Sequence, residues 1–208
     1  MVETLAREMM PLAMKLVPKP TPEVAATPAA APTDAVLVLA ARAGEDWARE
    51  ALFRRYARLA LGLAYRILPS DLDIDDLVQD SFLYAFERLS ALTNPQAFQA
   101  WLSSIVVRTA GKRLRRRKLQ IRLGLRSHTP IDADEVISRS APPDVAAELR
   151  AVYSLLEKLP VEERIALVLR RVERLEIPEI AEQMQLSVST VKRRLNAAEA
   201  RLTRAHKP

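Results

Sequence analysis

A chain of 208 residues, 49% of them hydrophobic, is long enough to fill two small cores, and 4 glycines set against abundant Ala and Leu favour helices over sheets. The formal net charge of +6 suits a polyanionic partner, and the placement of the cations must choose between nucleic acid and a membrane surface. The absence of cysteine excludes a disulfide, a thiolate nucleophile, a zinc ribbon and redox sensing by this chain. Near the N-terminus Glu3, Arg7 and Glu8 interrupt what would have to be the apolar core of a signal peptide. No apolar run approaches membrane-spanning length, so the expected compartment is the cytoplasm, with no membrane partner.

Residues 1–33 open with a short stripe (Val2, Leu5, Met9) that Pro11 breaks. They continue as a tract of Pro, Ala and Thr containing Pro18, Pro20, Pro22, Pro28 and Pro32. A stiff, disordered leader is expected there, with no function assigned to it.

Residues 34–118 carry a continuous helical pattern in four pieces. Asp34 is placed to cap a helix over Ala35–Ala43, with Gly44 as its stop. A second helix, from about Trp47 to Leu68, carries Leu52, Tyr56, Leu59, Leu63 and Ile67 on one face and ends ahead of Pro69. The third begins in an acidic patch, Asp71, Asp73, Asp75 and Asp76, and continues through Leu77, Val78, Phe82, Ala85 and Leu89. The helix dipole accounts for carboxylates in a first turn. A calcium loop would require Gly where Asp76 stands and Glu where Phe82 stands, so no metal site is expected. Gln79 and Asp80 extend the polar face past the first turn, as a ridge that could receive a partner protein. Asn94 is placed to cap a fourth helix, with Pro95 at its first position and Phe98, Trp101, Leu102 and Ile105 buried. That helix ends in Lys112, Arg113, Leu114, Arg115, Arg116, Arg117 and Lys118, a charge density that repels itself unless an anion is near. Gly111 and Leu114 supply too little apolar surface for a membrane-lying helix, so nucleic acid is the better reading.

Residues 119–147 hold Pro130, Pro142, Pro143, Asp132, Asp134 and Glu135 without a sustained period, and are expected to form a flexible linker. Fully extended, the linker reaches roughly 90 Å at about 3.3 Å per residue, enough to hold two DNA readers about 70 Å, or two helical turns, apart. A capped helix from Asp144 to Leu159 (Leu149, Val152, Leu155, Leu156) and another after Pro160 (Ile165, Val168, Leu169, Val172) should form a platform. On it would pack a helix-turn-helix. Its first helix shows Ile177, Ile180, Ala181 and Met184 at three- and four-residue steps, with Pro178 in the first turn. Its second, capped by Ser187, carries the stripe Val188, Val191, Leu195, Ala198 and Leu202 opposite Ser189, Lys192, Arg193 and Asn196. Cations for phosphates and guanine edges, beside an amide that can pair with adenine, suit the major groove. A plain pair of amphipathic core helices with a solvated basic face would share this pattern. The corner holds Gln185 where such motifs often have Gly, at a cost of about 1 to 2 kcal/mol if it takes positive φ.

Taken together, Asp75-Asp76-Leu77-Val78-Gln79-Asp80 followed by Phe82, the run Phe98 to Leu102 with Ala100-Trp101-Leu102, and Thr190-Val191-Lys192 resemble a bacterial RNA polymerase sigma factor of the extracytoplasmic-function group. The resemblance covers about residues 34–118 and 148–205. It implies an all-α fold of two small helical domains, region 2 and region 4, joined by the linker. It implies docking on core RNA polymerase, at the clamp coiled coil of the largest subunit through Asp76, Gln79 and Asp80, and at the flap region. It implies that Thr93, Asn94, Arg108, Lys112 and Arg115 meet the minus-ten element, and that Ser189, Thr190, Lys192, Arg193, Arg194 and Asn196 meet the minus-thirty-five element. An anti-sigma factor is a further partner that the resemblance admits. Ser103, Arg108 and Gln185 depart from residues frequent at those places.

The expected function is therefore promoter recognition and transcription initiation on core polymerase, without catalysis or cofactor. His128 and His206 fall in a linker and a tail, and no phosphate-binding Gly loop exists. The rivals are a free-standing helix-turn-helix regulator that dimerises on a palindrome, and a helical adaptor that binds only proteins. Neither needs both a remote basic helix and an acidic ridge.

Overall fold

The structure, a computed structural model, describes residues 32–68, 74–125 and 154–205. The described residues form α-helices and short 3-10 turns without a strand, in line with the all-α expectation. The helices are α1 (Asp34–Arg42), α2 (Asp46–Ile67), α3 (Ile74–Glu87), α4 (Phe98–Arg122), α5 (Val161–Arg171), α6 (Ile177–Met184) and α7 (Val188–Ala205). Residues 154–158 are also helical. The expectations for most of the leader, for Asp71 and Asp73, for His128 and His206, and for the greater part of the linker lie outside the described residues.

The cap of α1 is Thr33, not Asp34: the Val36 N–H donates to the Thr33 hydroxyl at 3.5 Å. Asp34 is drawn elsewhere, accepting from Arg55 at 2.6 Å and from the Tyr56 hydroxyl. Burial and that carboxylate push Tyr56 up to about 12. Past α1 the chain turns through Gly44 at φ +95°, a region where a Cβ would be strained. On α2 the buried side is Ala48, Leu52, Tyr56, Ala60, Leu63, Ala64 and Ile67, whereas Leu59 is only half-buried. α3 buries Ile74, Leu77, Val78, Phe82 and Ala85 at helical spacing, and its buried Ser81 hydroxyl donates back to the Leu77 carbonyl at 2.8 Å. Asn94 does cap, but it caps the 3-10 turn Pro95–Ala97, which then runs into α4. Ring contacts Tyr56 to Phe98 (5.4 Å) and Phe98 to Trp101 (6.1 Å) fasten the start of α4 to α2.

α4 is the central element, and it departs most from the sequence expectation. It runs on past Lys118 to Arg122, into what reads as linker. Its buried set, Phe98, Leu102, Ile105, Val106, Val107, Ala110, Gly111 and Leu114, occupies more than one face. The cause is a second layer: α2 and α3 pack on one side of α4, while α5 and α6 pack on another. One continuous core joins the N-terminal helices to Ile165, Val168, Ile180 and Val191. The expected pair of helical units thus shares a seam. Gly111 sits in it, where a Cβ would stand 3.1 Å from the Ile165 Cδ1 atom, and Arg66 donates across it to Glu173.

Candidate nucleic-acid interface

The helix-turn-helix is built as its sequence pattern requires. α6 opens with Pro178 in its first turn and a capping box, in which the Glu176 N–H donates to the Glu179 carboxylate at 2.6 Å. It closes on Gln185 at φ 54°, so a non-glycine residue does occupy the left-handed corner. Hydrogen bonds from the Gln185 N–H to the Glu182 carbonyl (3.1 Å) and from the Leu186 N–H to the Ala181 carbonyl (2.9 Å) offset that strain. Ser187 then caps α7, accepting from the Thr190 N–H at 3.2 Å.

Val191, Leu195 and Ala198 bury the inner face of α7 against α5 and α6, while Val188 is 41% exposed and leaves the stripe. Val188 stands in the first turn, ahead of the part of α7 that reaches the platform. Ser189, Lys192, Arg193 and Asn196 are all exposed, on one outward side. Thr190 is half-buried and its hydroxyl lies 2.8 Å from that of Ser187, so the cap already uses it. Arg194 is half-buried, with its Nε enclosed and lacking a protein hydrogen-bond partner among the described residues. Two ion pairs hold α7 on α5: Arg171 to Glu199 at 2.7 Å, and Arg201 to Glu163 at 3.0 Å. Glu163 is only 3% exposed. Its contact with Arg201 is an ion pair, not an aligned hydrogen bond, since the same oxygen makes none.

The basic helix is less free than its sequence suggests. Arg108 turns back along α4 to donate to the Ser104 carbonyl at 3.1 Å. Arg113 pairs with Asp80 at 2.7 Å, and Arg115 pairs with Glu162 of α5 at 3.1 Å. Lys118 donates to the Leu159 carbonyl at 2.6 Å, and burial together with Arg164 lowers its pKa from the ordinary lysine value. Lys112 and Arg116 are exposed. Just before α4, Thr93 and Asn94 form an exposed loop whose shape is set from both sides: the Asn94 side chain accepts from the Gln96 N–H at 3.0 Å, and Arg42 donates to the Leu89 and Leu92 carbonyls. Asp76, Gln79 and Asp80 are all exposed on α3, with exposed Leu83 continuing their ridge. The Asp80 to Arg113 pair brings this ridge and the basic helix together, whereas the outward face of α7 stands apart from both.

Sequence reasoning missed Arg42, Glu163 and the Arg66 to Glu173 link. Arg42 carried one faint signal, a cation in the last turn of a helix, where carbonyls lack partners. Among the described residues no group of His, Asp or Glu could hold a metal, and no helix is long and apolar enough to cross a membrane.

Comparison with known proteins agrees with this geometry. The sigma-70 region 2 model matches residues 52–120 and the sigma-70 region 4 model matches residues 149–202. The chain is 34% identical over 172 residues to the ECF RNA polymerase sigma factor SigM of Mycobacterium tuberculosis, covering 83% of this chain and 84% of that protein. It is 32% identical over 176 residues to the ECF RNA polymerase sigma-E factor of Escherichia coli K12, covering 78% of this chain and 88% of that one. Among solved structures, CnrH in complex with the cytosolic domain of CnrY matches with a TM-score of 0.54 and 28% identity, over 83% of this chain and 96% of that one. With both sigma-70 regions matched and such relatives along most of its length, the chain belongs to the ECF group of the sigma-70 family of RNA polymerase sigma factors.

Proposed function

We infer that this protein is a sigma factor that binds core RNA polymerase inside the cell and directs it to promoters for transcription initiation. The observation that carries the reading is the outward polar face of α7, Ser189, Lys192, Arg193 and Asn196, presented on a helix-turn-helix in a chain that also holds a basic helix beside an acidic ridge. A dimeric palindrome reader or a protein-only adaptor has no use for that combination. Residues 34–118 would serve polymerase and the minus-ten element, with Thr93, Asn94, Arg108, Lys112 and Arg115 at the DNA. Residues 148–205 would serve the minus-thirty-five element and the flap region, with Thr190 supporting the cap and Arg194 gripping a phosphate. An anti-sigma factor is a fitting further partner, and the structural neighbour CnrH is itself in complex with a cytosolic domain, that of CnrY. Because α4 and α6 are in contact, readers that must stand about 70 Å apart on DNA would have to part at the seam when polymerase is bound. Run-off transcription with purified core polymerase and genomic DNA fragments tests the whole reading; no specific transcript would refute it.

Two consequences can be measured. The ridge at Asp76, Gln79 and Asp80 is the polymerase-facing surface, so Asp80→Arg should lower core affinity a few-fold in a titration while helicity is retained; its pair with Arg113, whose Asp80 side chain is 61% exposed, is worth too little to endanger the fold. Unchanged affinity would remove the ridge from the interface. The cluster at Lys112, Arg113, Arg115 and Arg116 contributes phosphate contacts around the melted promoter. Alanine at Arg115 and Arg116 should shrink the slope of log affinity against log salt by roughly 0.7 to 0.9 per lost contact on the holoenzyme. A constant slope would make the run a solvated face only.

A further inference from the structure

The loop that carries Thr93 and Asn94 is tied to the end of α1 by one side chain. Arg42 donates from Nε to the Leu89 carbonyl at 3.0 Å and from Nη2 to the Leu92 carbonyl, residues 47 and 50 positions further along the chain. Leu92 is where the backbone leaves the 3-10 turn Leu89–Ala91, at φ −73° and ψ 107°, and exposed Thr93 and Asn94 follow it. Its carbonyl has no donor close by in sequence. Pro95, three residues on, lacks an N–H, and the N–H of Gln96, four residues on, is taken by the Asn94 side chain at 3.0 Å. Arg42 supplies the donor instead. The root of that side chain is itself fixed: Leu37, Val38 and Ala41 are buried on α1, and the Gly44 N–H bonds back to the Ala41 carbonyl at 3.2 Å. α1 also packs against both 3-10 turns that flank the loop, Leu89–Ala91 and Pro95–Ala97.

The fold does not need this tie, because Leu89 and Leu92 are only 3% and 5% exposed and hold the turn in the core by their own side chains. What those side chains leave open is the direction in which the backbone then runs. A carbonyl lies in one plane with the next residue's nitrogen and Cα, so a bond that pins the Leu92 oxygen also fixes where Thr93 starts. We propose that Arg42 is a positioning residue for promoter recognition: by fixing the Leu92–Thr93 peptide it sets how Thr93 and Asn94 meet the minus-ten bases, and so how sharply those bases are discriminated. The proposal rests on the reading of this loop as a minus-ten contact. Groups that recognise a partner have to be held to within about 0.5 Å of their working geometry, which a peptide plane free to turn does not give. The planar guanidinium fork reaches both carbonyls at once, whereas a lysine ammonium at the same place is a point charge on a flexible stem.

The test is run-off transcription by the holoenzyme on a genomic promoter fragment and on its single-base variants in the minus-ten and minus-thirty-five elements. With Arg42→Ala, discrimination at one or two minus-ten positions should fall roughly two- to tenfold, the scale of one lost hydrogen bond. Preference in the minus-thirty-five element and affinity for core polymerase should stay as they are. Arg42→Lys should flatten the minus-ten preference less, and Arg54→Ala, an exposed change on α2, should leave it unaltered. A residue that only braces the fold would lower transcription from every variant by one common factor. That result, or an unaltered minus-ten preference in Arg42→Ala while Thr93→Ala flattens it, would overturn the role of Arg42 and leave the reading of the loop standing. Unaltered preference in both Arg42→Ala and Thr93→Ala would overturn the reading of the loop and the proposal with it. Full parental preference in Arg42→Lys would show that charge alone suffices and would sink the two-carbonyl clamp. If circular dichroism shows Arg42→Ala unfolded, Arg42→Lys decides between the same outcomes.

Discussion

Replacing Arg193 by alanine is expected to cost about 1 to 3 kcal/mol of base discrimination and to flatten promoter preference at one or two positions of the upstream element. Replacing Arg194 is expected to weaken every sequence about equally. The two neighbours differ because of where α7 is buried. Val191, Leu195 and Ala198 fix which side of the helix meets the platform, and Arg193 points out opposite them with Ser189, Lys192 and Asn196. Arg194 is half-buried at the flank with its Nε enclosed, which suits a side chain that reaches a phosphate from the edge of the groove. Phosphate contacts position a protein and carry no sequence information directly. Holoenzyme binding to a panel of single-base promoter variants decides the matter. Equal losses on all variants for both mutants would leave α7 a charged helix without a base reader at Arg193.

What could be read from the sequence was local. The stripes of α2, α3, α6 and α7 follow from apolar residues at helical spacing, and Ser187, Asn94 and Gln185 play the roles their types allow. Where two neighbouring residues could do one job, a distant contact chose between them. Thr33 caps α1 because Asp34 is engaged by Arg55 and Tyr56, residues 21 and 22 positions away. Val188 fits the α7 stripe by spacing, yet it lies in the first turn and stays exposed.

The seam was not legible for the same reason carried further. Arg66 and Glu173 are 107 residues apart, and neither stands in a motif. Gly111 reads as a weak spot in a helix until Ile165 is set against it. The second buried face of α4 blurs the one-sided pattern that an amphipathic helix shows. Its extension to Arg122 reads as linker because Leu119 is exposed and only Ile121 is half-buried, so the added turn carries almost no apolar stripe. Of the candidate site, the exposed face of α7 and the ridge on α3 could be foreseen from spacing alone, since exposure is the complement of a buried stripe. The internal partners of Arg113 and Arg115 could not, because each lies on another helix.

The largest loss of stability is expected from Phe98→Ala. Phe98 is fully buried at the junction where the Thr93 and Asn94 loop enters α4, with its ring against Tyr56 and Trp101. Truncation removes the transfer energy of the ring, leaves a cavity and breaks both aromatic pairs. Together these effects amount to about 3 to 5 kcal/mol, much of the 5 to 15 kcal/mol that holds a typical domain folded. In a chain of 208 residues with one continuous core each kcal/mol moves the thermal midpoint by roughly 2 to 4 °C, so a drop of about 6 to 20 °C is expected. Phe98→Leu keeps most of the volume and should cost less than half as much. The loop should suffer before the whole: Arg42 would still hold the Leu89 and Leu92 carbonyls, but the side leading into α4 would lose its anchor. Thermal unfolding of the full chain, followed by circular dichroism, measures the effect. A midpoint within a degree or two of the parent for Phe98→Ala would show that this ring does not anchor the entry to α4.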